Sequence, residues 1–352
     1  MLTSETKDVL LAVSGGIDSA IAIYILQQKG FAVHGVHFNF WQWETRKLNS
    51  NDEIFKKLEV TFNINIKTID FRQFFKKVVV DEFIAEQRTG LTPNPCVRCN
   101  PLIKFQLLMD IADQENIHYI ATGHYARVEH DLLQGKYYLR TGLDLKKDQS
   151  YMLCYLNQEI LSRTFFPLGE YKKTDIYQIG KNFELPISEQ GESQDLCFVQ
   201  PENYTHFMSD YLGENDQGDI IDTTGQIIGQ HHGLHHYTIG QRKGIRVAAP
   251  APYYVIQKNI ETNTLVVGFK DELENSTFDI DQLNWISGVP QFPYKTSVRI
   301  RYHSKLYPAI ISELNDRLYQ VTTKEPIQSV TPGQYAVFYE NDLVTGGGRI
   351  IR

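Results

Sequence analysis

Short apolar runs alternate with longer stretches of helical spacing through the first half of the chain, and this alternation constrains the fold more than any other feature. The runs DVLLAV, FAVHGVHFNF, INIKTID and IHYIATGH predict buried strands. The stretches between them predict helices, and the segment after the cysteine-containing loop predicts a helix that begins near Pro101. Strands separated by helices of this length indicate an α/β fold with a doubly wound parallel sheet.

The pattern changes to β after about residue 212. The stretches GDIIDTTGQIIGQH and YYVIQKNIETNTLVVGF each predict two strands around a turn. The later runs SVRIRYHS, YPAIISEL, LYQVTT and YAVFYE predict a small β-barrel. We therefore predict three domains: an α/β domain at 1–205, a small, mainly β domain at 206–275, and a C-terminal β-barrel at 276–352.

Composition limits where the protein acts and what it binds. The 352 residues contain no apolar run of the roughly 18 residues that a membrane span needs, and the first residues resemble neither a signal peptide nor a presequence. We expect a cytoplasmic, monomeric protein with no membrane partner. The formal net charge of −7 does not favour nucleic acid as a partner, so any such binding requires local basic patches.

The connection between the first strand and the first helix reads Ser-Gly-Gly-Ile-Asp-Ser, at residues 14–19. Adjacent glycines allow a sharp turn and a close approach of the backbone to a ligand. A helix N-terminus adds unpaired amides and a positive dipole end, which together form a cradle for phosphate. The connection is not a Walker loop, because no Gly-Lys-Ser/Thr follows.

This hexapeptide resembles the PP-loop of the N-type ATP pyrophosphatases. The resemblance implies that ATP, bound with Mg²⁺, is split between its α and β phosphates and adenylylates a substrate oxygen. It also implies that the ATP site is formed by Ala12, Val13, Ser14, Gly15, Gly16, Ile17, Asp18 and Ser19, with Phe38 near the adenine and Gly123 at a later strand end.

Six further blocks extend the resemblance over nearly the whole chain: TPNPCVRCNPLIKF, ATGHYARV, KKDQSYMLCYL, ESQDLCFV, HHGLHHYTIGQRKGI and GGGRI. Their order and spacing are similar to those of the tRNA-specific 2-thiouridylases, which replace the C2 oxygen of the wobble uridine with sulfur. Two alternatives come from other classes. An amide-forming PP-loop ligase would act on a small metabolite without needing the cysteines, and an inactive relative would only bind RNA.

The CxxC pair Cys96 and Cys99 allows a zinc site, a disulfide or two separate thiols. A zinc site would need two more ligands, and neither Cys154 nor Cys197 has a second ligand at the required spacing. A Cys96–Cys99 disulfide would close a strained loop in a reducing compartment. We therefore favour separate thiols, interpret Cys154 as core, and predict no metal bound by protein side chains, including the histidines at 231, 232, 235 and 236.

The family resemblance assigns the thiols different tasks. It implies that Cys197 carries a persulfide supplied by a sulfur-donor protein, and that Cys99 is the nucleophile that releases the sulfur through a transient Cys99–Cys197 disulfide. Asn94, Pro95 and Cys96 would line the pocket for the target base. Many family members carry Asp where this chain has Cys96, so the residue that transfers the proton is unassigned.

The resemblance also implies contacts to a tRNA substrate from Lys147, Asp148, Gln149, Arg301, Tyr302, His124 and Gln334. Arg299 and Arg301 alternate in a strand-like run, which places them on one face. A second basic patch is formed by Arg242, Lys243 and Arg246. In an acidic chain these patches are where phosphate contacts are expected.

Overall fold

The computed structural model describes residues 7–43, 52–183, 196–213 and 216–351. Outside this part lie the first six residues, part of the second helical connection, and Ser193, Gln194 and Asp195 of the SQDLC motif. Within the described ranges, no helix has the length and apolar character needed to cross a bilayer.

The first domain contains the predicted alternation of strands and helices. Its strands are β1 Lys7–Ala12, β2 Phe31–Asn39, β3 Ile66–Asp70, β4 Tyr119–Ala121, β5 Ala126–Asp131, β6 Lys136–Thr141 and β7 Thr164–Phe165. Its helices are α1 Ile17–Gln28, α2 Asp52–Phe62, α3 over residues 72–88, α4 over residues 95–114, α5 Gln158–Arg163 and α6 Lys173–Lys181. Helix α7 Tyr204–Leu212 spans the predicted boundary at residue 205 and packs against α3. Helical turns of 3₁₀ type occupy Ser150–Leu153 and Pro201–Asn203.

The central sheet has the order β3-β2-β1-β4-β7 with parallel pairing throughout. Side chains of β1 alternate between two cores: Leu10 packs into a cluster that includes α4, while Val9 and Leu11 face α1 and α2. Both faces are therefore covered, and the predicted doubly wound sheet is confirmed.

The start of α4 differs from the prediction, because the helix begins at Pro95 and not near Pro101. Asn94 is extended, and Pro95 takes the first helical position, where its missing N–H costs no hydrogen bond. Cys96 and Cys99 therefore lie on the first turns of a helix and not in a loop. The stretch Asn100–Phe105 within α4 is π-helical.

The second domain is a small antiparallel and parallel sheet in the order β10-β11-β8-β9. Its strands are β8 Gly218–Asp222, β9 Ile227–His231, β10 Tyr254–Asn259 and β11 Thr264–Gly268, with 3₁₀ turns at Leu234–His236 and Lys270–Leu273. Both predicted hairpins are present, and they pack around a separate apolar cluster that contains Ile220 and Val255.

The C-terminal strands are β12 Glu274–Trp285, β13 Tyr294–Arg299, β14 Tyr307–Asn315, β15 Leu318–Gln328, β16 Tyr335–Glu340 and β17 Leu343–Ile350. They follow the order β12-β15-β14-β13-β16-β17, and pairing of β12 with β17 closes the barrel. Its interior is filled by apolar side chains such as Phe278, Ile311 and Phe338. The predicted barrel is confirmed.

The hairpin β5–β6 belongs to the first domain by sequence but extends the sheet of the barrel. Strand β6 pairs with β17, where Leu139 lies opposite Val344. Arg127 and Arg140 on the hairpin both contact the carboxylate of Asp342, at 2.8 and 2.5 Å. A single sheet therefore joins the first and last parts of the chain, which the periodicity did not indicate.

Candidate active site

The connection from β1 to α1 has the geometry of an anion cradle. Gly15 has φ +84°, a conformation that disfavours residues with a Cβ, and Gly16 caps α1. The Ser14 hydroxyl lies 3.3 Å from that of Ser19, which donates to the Gly16 carbonyl at 2.9 Å. Ala12, Val13 and Ile17 flank this turn, so the residues predicted from 12 to 19 form one continuous segment around the N-terminus of α1.

Gly15 and Gly16 differ in their tolerance of a side chain, and this difference is testable. A Cβ on Gly15 would add left-handed strain and meet Phe55 at 3.4 Å, whereas a Cβ on Gly16 would meet only the Ser14 hydroxyl at 3.7 Å. We expect Gly15→Ala to lower the free energy of unfolding by about 1–2 kcal/mol. Gly16→Ala is the matched control, and denaturant unfolding is the measurement. Equal stabilities of the two variants would contradict the cradle geometry.

Gly123 follows β4 and lies directly against this cradle. A Cβ built on Gly123 would be 3.7 Å from the amide nitrogen of Ser19. Strand β1 has β2 on one side and β4 on the other, so the loops after β1 and β4 meet where the strand order reverses, the usual ligand site of such sheets. Phe38 instead packs its side chain against Phe40 and Phe71 in the core, so a contact with adenine would have to come from its main chain.

Asp18 is the centre of a hydrogen-bonded network that the sequence analysis did not include. Both of its carboxylate oxygens accept from the ammonium of Lys173 at 2.6 Å, and Oδ1 also accepts from the hydroxyl of Tyr125 at 2.7 Å. Burial and the adjacent carboxylate raise the pKa of Tyr125, so it remains a hydrogen-bond donor. The side chain of Lys173 is 11% exposed, which places a nearly buried cation beside the phosphate cradle.

Cys99 shares one apolar cluster with the residues on either side of Cys197, the other thiol to which the sequence assigns a role. Cys99 is 5% exposed and packs in a cluster with Phe198 and Val199, which follow Cys197 in the chain. Cys197 is exposed, and the protein around it still raises the pKa of its thiol through desolvation. Burial raises the pKa of Cys99 to about 12, although Lys104 opposes this shift.

The other two cysteines occupy different environments. Cys96 is partly exposed on the first turn of α4, next to Asn94 and Pro95. Cys154 is fully buried, and a Cβ on Gly347 of the barrel would come within 2.9 Å of its sulfur. The interpretation of Cys154 as a core residue is confirmed.

The segment before α4 is held by the two β domains. The amide of Thr92 donates to the carbonyl of Pro332, and the side-chain amide of Gln334 donates to the carbonyl of Thr92 at 2.7 Å. Lys258 of the second domain donates to the Leu91 carbonyl at 3.4 Å. Gln334, predicted to contact tRNA, therefore has a contact that positions the start of the cysteine-bearing helix.

The turn at 147–149 is more buried than a surface contact would suggest. Asp148 is 4% exposed, and its carboxylate accepts from the amides of Gly142 and Ser150 at 3.0 and 3.1 Å. The side chain of Gln149 accepts from the Tyr125 amide at 3.0 Å. A direct contact of Asp148 with tRNA would require this turn to open, and the tRNA roles of Lys147, Asp148 and Gln149 stay predictions.

Arg301 does not share a strand face with Arg299, because β13 ends at Arg299 and the chain bends there. The guanidinium of Arg301 donates to the carbonyls of Ile239 and Ser329, at 2.8 and 3.2 Å, and thereby connects the second domain to the barrel. Arg299 lies over the ring of Tyr339. Tyr302 is partly buried beside Arg301, and the predicted contacts of Arg301 and Tyr302 with tRNA remain predictions.

The histidines of the second domain do not assemble as ligands in the structure. His231 is buried, accepts from the Gly233 amide through Nδ1, and has Nε2 3.0 Å from the Asn263 carbonyl. Burial lowers the pKa of His235 to about 4. Over the described ranges, no group of three or more His, Cys, Asp or Glu side chains has the arrangement of a metal site.

A phosphate cradle at the switch point of a doubly wound sheet, followed by two β domains, defines a PP-loop protein. Comparison with family models divides the chain similarly: residues 7–201 match a tRNA methyl transferase HUP domain, 205–269 a tRNA methyl transferase PRC-barrel domain, and 275–350 an aminomethyltransferase β-barrel domain.

Curated relatives match over nearly the whole chain. The tRNA-specific 2-thiouridylase MnmA of Geotalea uraniireducens is 38% identical over 99% of this chain and 96% of its own length. That of Nostoc punctiforme is 38% identical over 98% and 99%, and that of Halothermothrix orenii 39% over 97% and 98%. The chain belongs to the tRNA-specific 2-thiouridylase family.

Proposed function

We propose that this protein is an ATP-dependent tRNA-uridine 2-sulfurtransferase that acts on the wobble uridine. ATP adenylylates the C2 oxygen of the uridine with release of diphosphate, and sulfur then displaces AMP. The observation that carries the proposal is the proximity of two elements at one end of the sheet. The cradle of residues 14–19 and Gly123 lies there, and His124, the next residue, stacks on Phe105 of the cysteine-bearing helix.

The protein's own groups have distinct tasks in this reaction. The amides at the start of α1 bind phosphate oxygens, and Lys173 provides a positive charge beside them. Mg²⁺ would be held mainly by the phosphates of ATP, because the described residues contain no cluster of three ligands. Asp18, the acidic residue in the first turn of α1, is the carboxylate of the cradle itself. When bound, the metal would neutralise part of the negative charge of the phosphates.

The proposal for sulfur delivery is supported by the position of Cys197 directly before Phe198 and Val199, which pack with Cys99. An exposed Cys197 is accessible to a sulfur-donor protein, which would leave a persulfide on its sulfur. The thiolate of Cys99 attacks the inner sulfur of that persulfide, the S–S bond breaks, and hydrosulfide leaves with the electron pair. The new Cys99–Cys197 disulfide is then reduced by an external dithiol. The cytoplasmic location and the monomeric state also remain predictions.

The direct test is incubation of the protein with unmodified tRNA, ATP and a labelled sulfur source, followed by nucleoside analysis. We expect labelled 2-thiouridine at the wobble position together with AMP. Formation of AMP with an amine and a carboxylate metabolite, without any requirement for tRNA, would instead indicate an amide-forming ligase. Binding of tRNA without AMP formation would indicate an inactive RNA-binding relative.

The basic patch on the second domain predicts a salt-dependent contribution to tRNA binding. Arg242 and Lys243 are exposed, unlike Arg301, whose guanidinium contacts protein carbonyls. We expect Arg242→Ala with Lys243→Ala to reduce the slope of log affinity against log salt by about one to two units. The measurement is a filter-binding titration at several salt concentrations.

Lys67→Ala is the matched control for this measurement, because Lys67 is an exposed lysine that pairs with Glu115 on the first domain. If the slope of log affinity against log salt is unchanged in the double variant, or changes equally in Lys67→Ala, this patch is not part of the tRNA-binding surface.

A further inference from the structure

Lys104 is a partly buried lysine on α4, the helix that also carries Cys96 and Cys99. Among the described residues no carboxylate forms an ion pair with its ammonium. A cation removed from water is costly unless neighbouring groups compensate it. The charge of Lys104 must therefore be compensated by groups other than a carboxylate of the described residues.

The π-helical stretch of α4 brings Lys104 towards the face of Cys99. In a regular α-helix, residues five apart point about 140° away from each other. The stretch Asn100–Phe105 is π-helical, and its i→i+5 hydrogen bonding places residues five apart nearly above one another. Lys104 is five residues after Cys99, so the local widening of the helix aligns the two side chains.

The residues that flank Lys104 fix its position between the thiols and the ATP cradle. Ile103 packs in the same apolar cluster as Cys99 and Phe198. Phe105 stacks on His124 with ring centroids 5.9 Å apart, and His124 follows Gly123 at the cradle. Lys104 lies between these two fixed neighbours.

The electrostatics agree with this placement. Burial opposes the charge of Lys104, but attraction to the sulfurs of Cys99, Cys197 and Cys96 outweighs it and raises the pKa of the lysine. Burial, and secondly Lys104, lowers the pKa of His124 to about 3, so the imidazole is neutral at physiological pH.

Arg98, Glu82 and Glu86 also line the pocket beside Cys99, but Arg98 is paired with these two carboxylates. Among the described residues, Lys104 is therefore the cation near the thiols that has no carboxylate partner.

We propose that Lys104 is a positioning residue for sulfur transfer, whose ammonium stabilises the anionic sulfur that forms on Cys99 and then on the departing hydrosulfide. This assignment rests on the proposed function. Cys99 loses its proton to solvent, its sulfur forms a bond to the inner sulfur on Cys197, and the S–S bond of the persulfide breaks. The electron pair leaves on hydrosulfide, so negative charge moves across the cluster while Lys104 stays protonated.

The test measures thiol reactivity in the full-length enzyme without ATP or tRNA. Rates of alkylation by iodoacetamide are followed between pH 7 and 10 by peptide mass spectrometry, for the wild type, Lys104→Met, Lys104→Gln and Lys104→Arg. Trypsin cleaves after Arg98 and therefore separates Cys96 from Cys99. Only the thiolate reacts with iodoacetamide. Its fraction increases with pH below the pKa of Cys99, so the alkylation rate rises with pH.

We expect both neutral variants to slow alkylation of Cys99 about tenfold at each pH, as follows from loss of one nearby charge in a protein-like dielectric. Lys104→Arg should retain most of the wild-type rate. Cys154 is the internal control, because burial dominates its pKa and Lys104 does not act on it. A variant that fails to fold would expose Cys154 and speed its alkylation.

The assignment would be overturned by equal alkylation rates of Cys99 across the pH range in the wild type and in a neutral variant that keeps Cys154 protected. Because the assay contains neither nucleotide nor tRNA, it is independent of the proposed function. If the wild-type enzyme formed no 2-thiouridine, the proposed function would be refuted. The difference in Cys99 alkylation rate between the wild type and the Lys104 variants would still stand.

Discussion

Replacing Cys197 with serine will abolish thiolation of tRNA, with an expected loss of about three orders of magnitude or more, as for removal of a covalent catalytic group. A serine cannot carry a persulfide, and the other three cysteines are either buried or, in the case of Cys96, only partly exposed. Binding of tRNA should be unchanged, because the residues beside Cys197 pack in the first domain, whereas Arg242 and Lys243 are exposed residues of the second domain. The measurement is nucleoside analysis of tRNA after incubation with ATP and a labelled sulfur source.

Disulfide mapping provides the complementary result. After ATP-dependent turnover without reductant, we expect a Cys99–Cys197 linkage in the wild type and also in Cys96→Ser. The two sulfurs would need Cα atoms within about 7 Å of each other at that stage. Full thiolation activity in Cys197→Ser, or a Cys96–Cys99 linkage in the wild type, would refute this division of tasks.

The second large effect is expected at Asp18. Asp18→Asn removes the negative charge that holds Lys173 at 2.6 Å while it keeps the size of the side chain. We expect formation of AMP to fall at least about a hundredfold, as when a preorganised charged group of an active site is lost. The nearly buried ammonium of Lys173 also loses its partner, so the free energy of unfolding should fall by about 1–3 kcal/mol.

Asp175→Asn is the matched control, because Asp175 is a partly exposed acidic residue on the same helix as Lys173 and caps that helix. AMP formation is measured by chromatography and tRNA binding by filter retention. Normal AMP formation in Asp18→Asn would exclude the PP-loop assignment, whereas loss of tRNA binding would show that the cradle and the tRNA surface are not separate.

Local sequence patterns were sufficient to predict the parallel sheet and the hairpins of the second domain. The apolar run of β1 followed by two glycines predicts both the strand and the cradle, because the signal lies within a few residues. The start of α4 also had a local signal, since an Asn followed by Pro95 is a typical helix beginning. The prediction from sequence places the start near Pro101 instead, because both prolines fit the rule for a first helical turn.

The contacts that the sequence could not indicate join residues far apart in the chain. Lys173 is 155 residues from Asp18, and no local pattern pairs them. The burial of Asp148 results from packing of the first domain against the barrel, where Arg299 approaches its carboxylate at 3.7 Å. Strand β17 is rich in glycine, so its sequence does not resemble a strand although it pairs on both sides.

The shared sheet of β6 and β17 has a consequence for biosynthesis. During translation the hairpin β5–β6 emerges long before residues 343–350, so the edge of β6 has no partner until those residues have been synthesised. An unpaired strand edge is a template for association with other chains. A truncated chain that ends at residue 205 should therefore aggregate on expression, and a nonsense mutation within codons 343–350 should open the barrel and uncover the hairpin together.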